Sequence, residues 1–325
     1  MKSVLPILEC AYFSKNGYVL FTNLEGTVFV KDKNIDKDFL LHMDALAQIP
    51  KRAEEVEFIL NGDKLTMKGE SFEFNVELYD HVEDFPEIPE MPKKWSKVSS
   101  GDFQRLKKAT KFVSKDTLLR PELCTVLMSD NIVATNTYTL YWSKADGEYK
   151  DLLMNPQHVA QATKVRVDLK VAGLKHHTYI AYDNVVIAWR SPDGKYPNYK
   201  AVIPEKESVA ADVPFSTLKS MIEDFKKKGV KVTEWLVEEY AITLKQSSDM
   251  GNGKIEKKIE YDTFTGPDEL HRVGLDMNLL HTYVSVLDTE LVEIAFVPQS
   301  EKNGSNVSHV IFNGEVLQMP VVLRA

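Results

Sequence analysis

The sequence predicts an α+β protein of three repeated domains, each with helices on one face of antiparallel sheets. Three observations carry that expectation. Alternating, strand-like segments cluster around few helical ones. A pattern of strand, short helix and alternating strand occurs three times at domain spacing. Pro-rich connections separate the copies.

The three copies are "DFLLHMDALAQIPKRAEEVEFIL" from Asp38, "DLLMNPQHVAQATKVRVDLKV" from Asp151 and "VGLDMNLLHTYVSVLDTELVEIAFV" from Val273. Aligning Leu41, Met154 and Leu275 gives spacings of 113 and 121 residues, a duplication of whole domains and not a solenoid period. Two more strands follow each copy. The other half of the unit is a helix followed by strands, seen in "SSGDFQRLKKATKFVSK" and "VPFSTLKSMIEDFKKKG". The connections "DFPEIPEMPKKW" and "KYPNYKAVIPEKE" place boundaries near Trp95 and Glu205, giving domains 1–95, 96–205 and 206–325. The second and third domains contain both halves. The first contains its second half and only the strands of its first, so it is expected to lack its opening strand and helix.

Composition narrows the function. Of the 325 residues, 43% are hydrophobic and 27% charged, as in a soluble globular protein. No stretch approaches the roughly 20 apolar residues of a membrane span, and the N-terminus has no signal-peptide pattern, so a cytoplasmic location is expected. A net charge of -8 argues against gripping nucleic acid with the whole surface, but not against basic residues confined to one face. Cys10 and Cys124 occupy matching repeat positions in apolar strands and read as buried thiols, not as a disulfide. There is no HExxH, P-loop, GxSxG or paired CxxC pattern, and adjacent His176 and His177 point to opposite faces of a strand. No enzyme, metal or cofactor is therefore expected.

One helix has a face to explain. Over Asp102–Lys115, Phe103, Leu106, Thr110 and Val113 form an apolar stripe, while Gln104, Lys108, Lys111 and Lys115 lie opposite. Lysines on such a face are solvated by default. They also suit phosphates, which mobile point charges hold without fixing a register.

Three stretches, in order and at domain spacing, resemble one family. "NIVATNTYTLYW" is similar to its second-domain Ala-Thr-Asp-Gly-His-Arg-Leu pattern, and "GKYPNYKAVIP" to its Phe-Pro-Asp-Tyr-Arg-x-Val-Leu-Pro connector. "VLQMPVVLRA" is similar to its Val-Val-Met-Pro-Met-Arg-Leu tail. The family is the bacterial DNA polymerase III beta subunit, the sliding clamp. The resemblance spans the whole chain. It implies a head-to-tail homodimeric ring around double-stranded DNA, independent of sequence, opened by a clamp loader and tethering DNA polymerase and other clamp-binding-motif proteins. It implies a processivity factor for DNA replication and no catalysis.

The repeat and the resemblance favour DNA contact for the helix face bearing Lys108, Lys111 and Lys115, and Arg120 matches an arginine of the family's DNA-contacting loop. Lys51, Arg52, Lys164 and Arg166, in or after the short second helices, are expected to add to the same lining. Carried over by motif, the resemblance implies a peptide-binding cleft of Leu123, Thr135, Tyr138, Leu140, Pro197, Val202, Met319, Pro320 and Val321. It implies a dimer interface in which Phe74 and Val76 of one protomer face Phe225 and Lys227 of the next. The sequence also departs from the family. Thr137-Tyr138-Thr139 stands where Gly-His-Arg is usual, and Ala201 where the connector has arginine. These departures point to a peptide preference different from the family's, while the short first domain and the lysine-rich seam at Lys226-Lys227-Lys228 keep open a second reading: a clamp-derived module that binds partner peptides without stably encircling DNA.

Overall fold

The computed structural model describes residues 5–79, 81–118, 120–162, 168–204, 209–246, 255–261, 264–265, 270–302 and 305–323. It is α+β, with antiparallel sheets and few helices. Packing divides the chain into two compact units that cut across the sequence repeat. One comprises residues 1–99 and 157–193, the other 100–156 and 194–325.

The first unit contains an eight-stranded sheet. Its order is Phe39–His42, Cys10–Ser14, Tyr18–Thr22, Gly26–Lys31, Val185–Arg190, His177–Tyr182, Lys170–Leu174, Ser96–Lys97. The join is an unbroken ladder, Thr27 opposite Ala188 through Val30 opposite Val185. Because alternate side chains point to opposite faces, this sheet buries both. Ala11, Phe13, Phe39 and Leu41 enter one core with Leu65 and Met67, and Phe13 stacks on Phe39 with ring centroids 4.4 Å apart. Leu20, Phe29, Tyr179 and Ala188 form the other. Leu65 and Met67 come from a separate three-stranded sheet, Glu57–Asn61, Lys64–Gly69 and Phe72–Glu77.

The second unit contains a nine-stranded sheet. Its order is Leu152–Met154, Val126–Met128, Asn131–Thr135, Thr139–Lys144, Val316–Gln318, Ser305–Phe312, Leu291–Lys302, Val209–Pro214, Phe264–Thr265. A four-stranded sheet runs Glu256–Glu260, Ala241–Gln246, Val232–Glu238, His271–Asp276. Helices Ser100–Ala109, Phe215–Lys227 and Met277–Val284 pack in this unit. Leu218, Met221, Ile222 and Phe225 recur at the three- and four-residue spacing of a buried helical stripe, and all four are buried.

The repeat holds at single-residue resolution. Leu41, Met154 and Leu275 are each fully buried near the end of a strand, one residue before the position that opens a short helix. His42 caps the first of these helices, its ring nitrogen accepting from the Asp44 amide at 3.2 Å. Asp276 caps the third, accepting from the Asn278 and Leu279 amides at 2.7 and 3.1 Å.

Two details correct the sequence reading. Cys10 is buried at the start of a strand, four residues after Pro6, whereas Cys124 ends a 3-10 turn three residues after Pro121 and is half-buried. The two thiols are one residue out of register. Both are free, and burial raises the pKa of each.

The Ser100 helix also ends early, at Ala109 and not at Lys115. Thr110 turns its hydroxyl back onto the Lys107 carbonyl at 2.7 Å, and Lys111 and Phe112 bond three residues back. The buried stripe is Asp102, Leu106, Ala109 and Phe112; Phe103, Thr110 and Val113 are only half-buried. The reason is Asp102. A fully buried carboxylate needs partners. It accepts from the Tyr149 hydroxyl at 2.8 Å, from the Asp146 and Gly147 amides, and from Arg105 at 2.9 Å.

Candidate partner cleft, basic segment and open edges

The turn joining Asn131–Thr135 to Thr139–Lys144 is built by its own side chains. Asn136 Oδ1 accepts from the Tyr138 and Thr139 amides at 3.0 and 2.8 Å. The Thr135 hydroxyl donates to the Thr139 carbonyl at 2.6 Å and accepts from the Thr137 amide at 3.1 Å. Thr137 is held at φ 76, a left-handed conformation that a β-branched residue rarely adopts. The result lifts Tyr138 outward, 65% exposed.

Two other segments meet this turn within the same unit. The C-terminal strand Val316–Gln318 pairs with Thr139–Lys144, and past it the Met319 amide donates to the Tyr138 carbonyl at 2.9 Å. The tail then crosses the strand His271–Asp276, where the Val321 amide donates to the Gly274 carbonyl at 2.9 Å. Glycine is required at that crossing. A Cβ on Gly274 would lie 2.8 Å from the Val321 carbonyl oxygen and from Leu323 Cδ2. The connector arrives from the other side: Tyr199 accepts from Asn131 Nδ2 at 3.0 Å, and Gly194 packs against Glu122. Burial pushes the neighbouring Tyr196 phenol up, an effect that the Thr135 backbone opposes.

The expected cleft members differ in exposure. Tyr138, Val202 and Met319 are exposed, while Thr135, Pro197, Pro320 and Val321 are half-buried. Two expected members are not surface. Leu123, in the 3-10 turn Pro121–Cys124, and Leu140, in a strand whose first three residues are all buried, are 2% and 3% exposed and belong to the core. Val322, 63% exposed, also lies on the tail and was not among the expected members; the apolar run Val321-Val322-Leu323 carries no signal that separates it from buried Leu323. Asn136 was also overlooked as the turn's organiser. Its signal was the Thr-Asn pair shared by both repeats.

The basic residues are placed less regularly than a single helical face requires. Lys108 is half-buried on the helix, Lys111 is exposed in the turn after it, and Lys115 and Arg120 are exposed further along the chain. Exposed Lys107 joins them, and none of the five makes an ion pair among the described residues. Arg105 is occupied, bridging Asp102 and Asp146 at 2.9 and 2.8 Å. Lys164 and Arg166 lie outside the described residues.

At the expected dimer interface, Phe225 is fully buried in its own protomer and presents no surface; it sits on the inner stripe of its helix. Lys227 is exposed at the helix end, beside Lys226, which bonds Asn278. Phe74 and Val76 lie on an edge strand but face inward onto the Phe13–Leu65 core, with Glu73, Asn75 and Glu77 turned out. Among the described residues no three metal-binding side chains converge, and no helix is long and apolar enough to cross a membrane.

Neither family models nor characterised proteins compared by sequence give a match. Solved structures do. The chain superposes on the DNA polymerase III beta subunit of Thermotoga maritima with a TM-score of 0.76 at 20% identity, covering 99% of this chain and 94% of that one. It superposes on the Helicobacter pylori beta clamp bound to a DNA ligase peptide with a TM-score of 0.76 at 14% identity, covering 99% and 94%. The Bartonella birtlesii sliding clamp bound to griselimycin gives 0.74 at 18% identity, covering 100% and 93%.

Proposed function

We propose, from the premise that this chain has the fold of the bacterial sliding clamp, that it is a non-catalytic processivity factor for DNA replication. In this reading two copies close head to tail around duplex DNA, and the cleft at Tyr138 and Met319 tethers a polymerase or other partner by a short peptide.

The observation that carries the reading is a rule of sheet joining. Gly26–Lys31, the third strand of its half, pairs with Val185–Arg190, the last strand of the next repeat. Thr139–Lys144 pairs with Val316–Gln318 in the same relation. Two counterparts remain unpaired among the described residues: Glu256–Glu260 at the end of the four-stranded sheet, and Phe72–Glu77 at the end of the three-stranded sheet. Applying the rule once more joins them. Doing so between copies gives three repeats per protomer, six around a closed dimer, with no long exposed edge at either seam. Lys226, Lys227 and Lys228 at the end of the Phe215 helix then face Glu73 and Glu77, which makes the seam loosen with salt.

The cleft supports the second half of the reading. Apolar anchors and proline-stiffened backbone suit an extended peptide. One or two buried anchors at roughly 1.5–3 kcal/mol each, with main-chain bonds, give exchangeable affinities near micromolar, about -8 kcal/mol. The Helicobacter pylori beta clamp was crystallised bound to a DNA ligase peptide.

The deciding measurement is protein retained on a nicked circular plasmid after loading, before and after the plasmid is cut once. A ring slides off free ends, so cutting empties the DNA. Retention that survives cutting, or no retention on the circle, leaves only the peptide-binding module. A parallel test is Asn75→Pro, which removes an outward donor of the Phe72–Glu77 edge and should convert dimer to monomer in sedimentation.

A further inference from the structure

The three-stranded sheet has a second open edge, and it faces a hollow. In the other two repeats the strand equivalent to Glu57–Asn61 is covered: Ser96–Lys97 lies on Lys170–Leu174, and Val209–Pro214 lies on Leu291–Lys302. A helix follows each covering strand, Ser100–Ala109 and Phe215–Lys227. Glu57–Asn61 pairs only with Lys64–Gly69 among the described residues.

The register shows what the edge offers. Asn61 and Lys64 flank a two-residue turn with Gly62 at φ 68, the geometry of a tight hairpin, so Asn61 and Lys64 form a hydrogen-bonded pair. Pairs alternate along an antiparallel ladder. Ile59 and Glu57 therefore bond inward, and the backbone groups of Phe58 and Leu60 point away from the sheet. Their side chains line a cavity of about 1460 Å³ with Phe13, Ile35 and Phe39. That volume exceeds the roughly 300–1,000 Å³ of small-molecule pockets and suits a stretch of polypeptide. The rim is acidic: Asp32, Asp36, Glu54, Glu55, Glu57 and Glu70 outnumber Arg52 and Lys68, and none of these carboxylates is ion-paired among the described residues.

We propose that this edge and hollow form a second docking site, separate from the Tyr138 cleft. It takes a partner segment that adds as a β-strand to Glu57–Asn61, alternating apolar residues over Phe13, Phe39 and Phe58 with lysine or arginine against the rim. Main-chain bonds supply strand addition, the apolar floor supplies anchorage, and the carboxylates select a basic segment.

The test uses the full chain and a fluorescein-labelled peptide of alternating Val or Leu and Lys, long enough to span Glu57–Asn61. The controls are the same peptide with Glu for Lys, and one N-methylated along its bonding edge. Saturable anisotropy is expected for the first peptide only. The double substitution Glu54→Lys with Glu55→Lys, both exposed and remote from the sheet ladder, should weaken it about tenfold while leaving circular dichroism unchanged. Absence of saturable binding, equal binding of the Glu peptide, or indifference to N-methylation overturns the proposal. So does dissociation of the protein dimer by excess peptide, which would make a second copy the occupant of this edge.

Discussion

Asn23 and Asn136 stand 113 residues apart and make the same hydrogen bonds. Asn23 Oδ1 accepts from the amides two and three residues on, at 3.2 and 2.8 Å, as Asn136 does at 3.0 and 2.8 Å. Thr22 and Thr135, just before them, each cap the intervening amide and bond the carbonyl four residues on. The duplicated domain thus preserves a turn bond by bond, yet only the second copy lies beneath the tail that bears Met319.

That equivalence supplies its own control. Asn136→Ala releases Tyr138 and should weaken a fluorescent clamp-binding-motif peptide several-fold, with a stability loss of about 1 kcal/mol. Asn23→Ala should show a similar loss of stability and unchanged peptide affinity. Tyr138→Ala and Met319→Ala, which leave the turn intact, should each weaken the peptide about tenfold. Equal peptide affinities for Asn136→Ala and Asn23→Ala would place the cleft elsewhere.

Both turns are strained at the same point. Leu24 and Thr137 have φ 74 and φ 76, where a side chain costs roughly 1–2 kcal/mol. Glycine removes that strain but adds about 0.5–1 kcal/mol of unfolded-state entropy. Thr137→Gly should therefore raise the melting temperature, by up to about 1.5 kcal/mol in stability, as should Leu24→Gly. Calorimetry of the two single variants checks this. A fall in both would mean that the side chains are held by contacts worth more than the strain.

Much of the architecture was legible in sequence because its signals are local. Leu41, Met154 and Leu275 mark strand ends that the repeat pattern placed in register, and the Leu218–Phe225 stripe has plain helical spacing. What escaped detection depends on partners distant in the chain. Asp102 is buried because Tyr149 and the Asp146–Gly147 backbone close on it, and the buried stripe is Asp102, Ala109 and Phe112 in place of Phe103, Thr110 and Val113, with Leu106 common to both. Phe225 looked like an interface residue because its position near a helix end does not reveal depth. Leu123 and Leu140 were assigned to the cleft by motif, and motif alone cannot separate the wall of a groove from the core behind it.

Asp102 is consequently the polar residue whose loss should be felt most. Asp102→Ala takes the shared acceptor from the Tyr149 hydroxyl and from the Asp146 and Gly147 amides and leaves Arg105 with Asp146 alone. With each unsatisfied buried donor costing about 1–3 kcal/mol, the loss should be about 3 kcal/mol or more. Tyr149→Phe removes one bond and should cost about 1–2 kcal/mol. Urea titrations of the two variants should keep that order. A smaller effect for Asp102→Ala than for Tyr149→Phe would mean water replaces the carboxylate.

Alkali should unfold the protein through its tyrosines. Burial pushes Tyr179 and Tyr261 up to about 12, and Tyr141, Tyr196 and Tyr283 higher still. An unfolded chain ionises these phenols near pH 10. Above that pH the unfolded state binds fewer protons than the folded one, so stability is full below about pH 10 and falls as pH rises through 12. Tyrosinate absorbance and circular dichroism should change together in one cooperative step. Smooth ionisation of all tyrosines before any loss of structure would show that the five are reachable by solvent.

The basic segment is tested by salt. A lysine that meets phosphate releases counterions, and each such contact adds about 0.9 to the slope of log affinity against log salt on duplex DNA. Lys108→Ala, Lys111→Ala and Lys115→Ala should each flatten the slope of binding to linear duplex by up to that amount. Because Lys111 and Lys115 lie beyond the end of the helix, their effects need not share the helical periodicity that Lys108 obeys. Arg105→Gln is the control: its charge is spent on Asp102 and Asp146, so the variant should lose stability while the slope stays as it was. A slope that moves with Arg105 and not with the lysines would mean that DNA approaches another face, and the assignment of Lys108, Lys111 and Lys115 would fall.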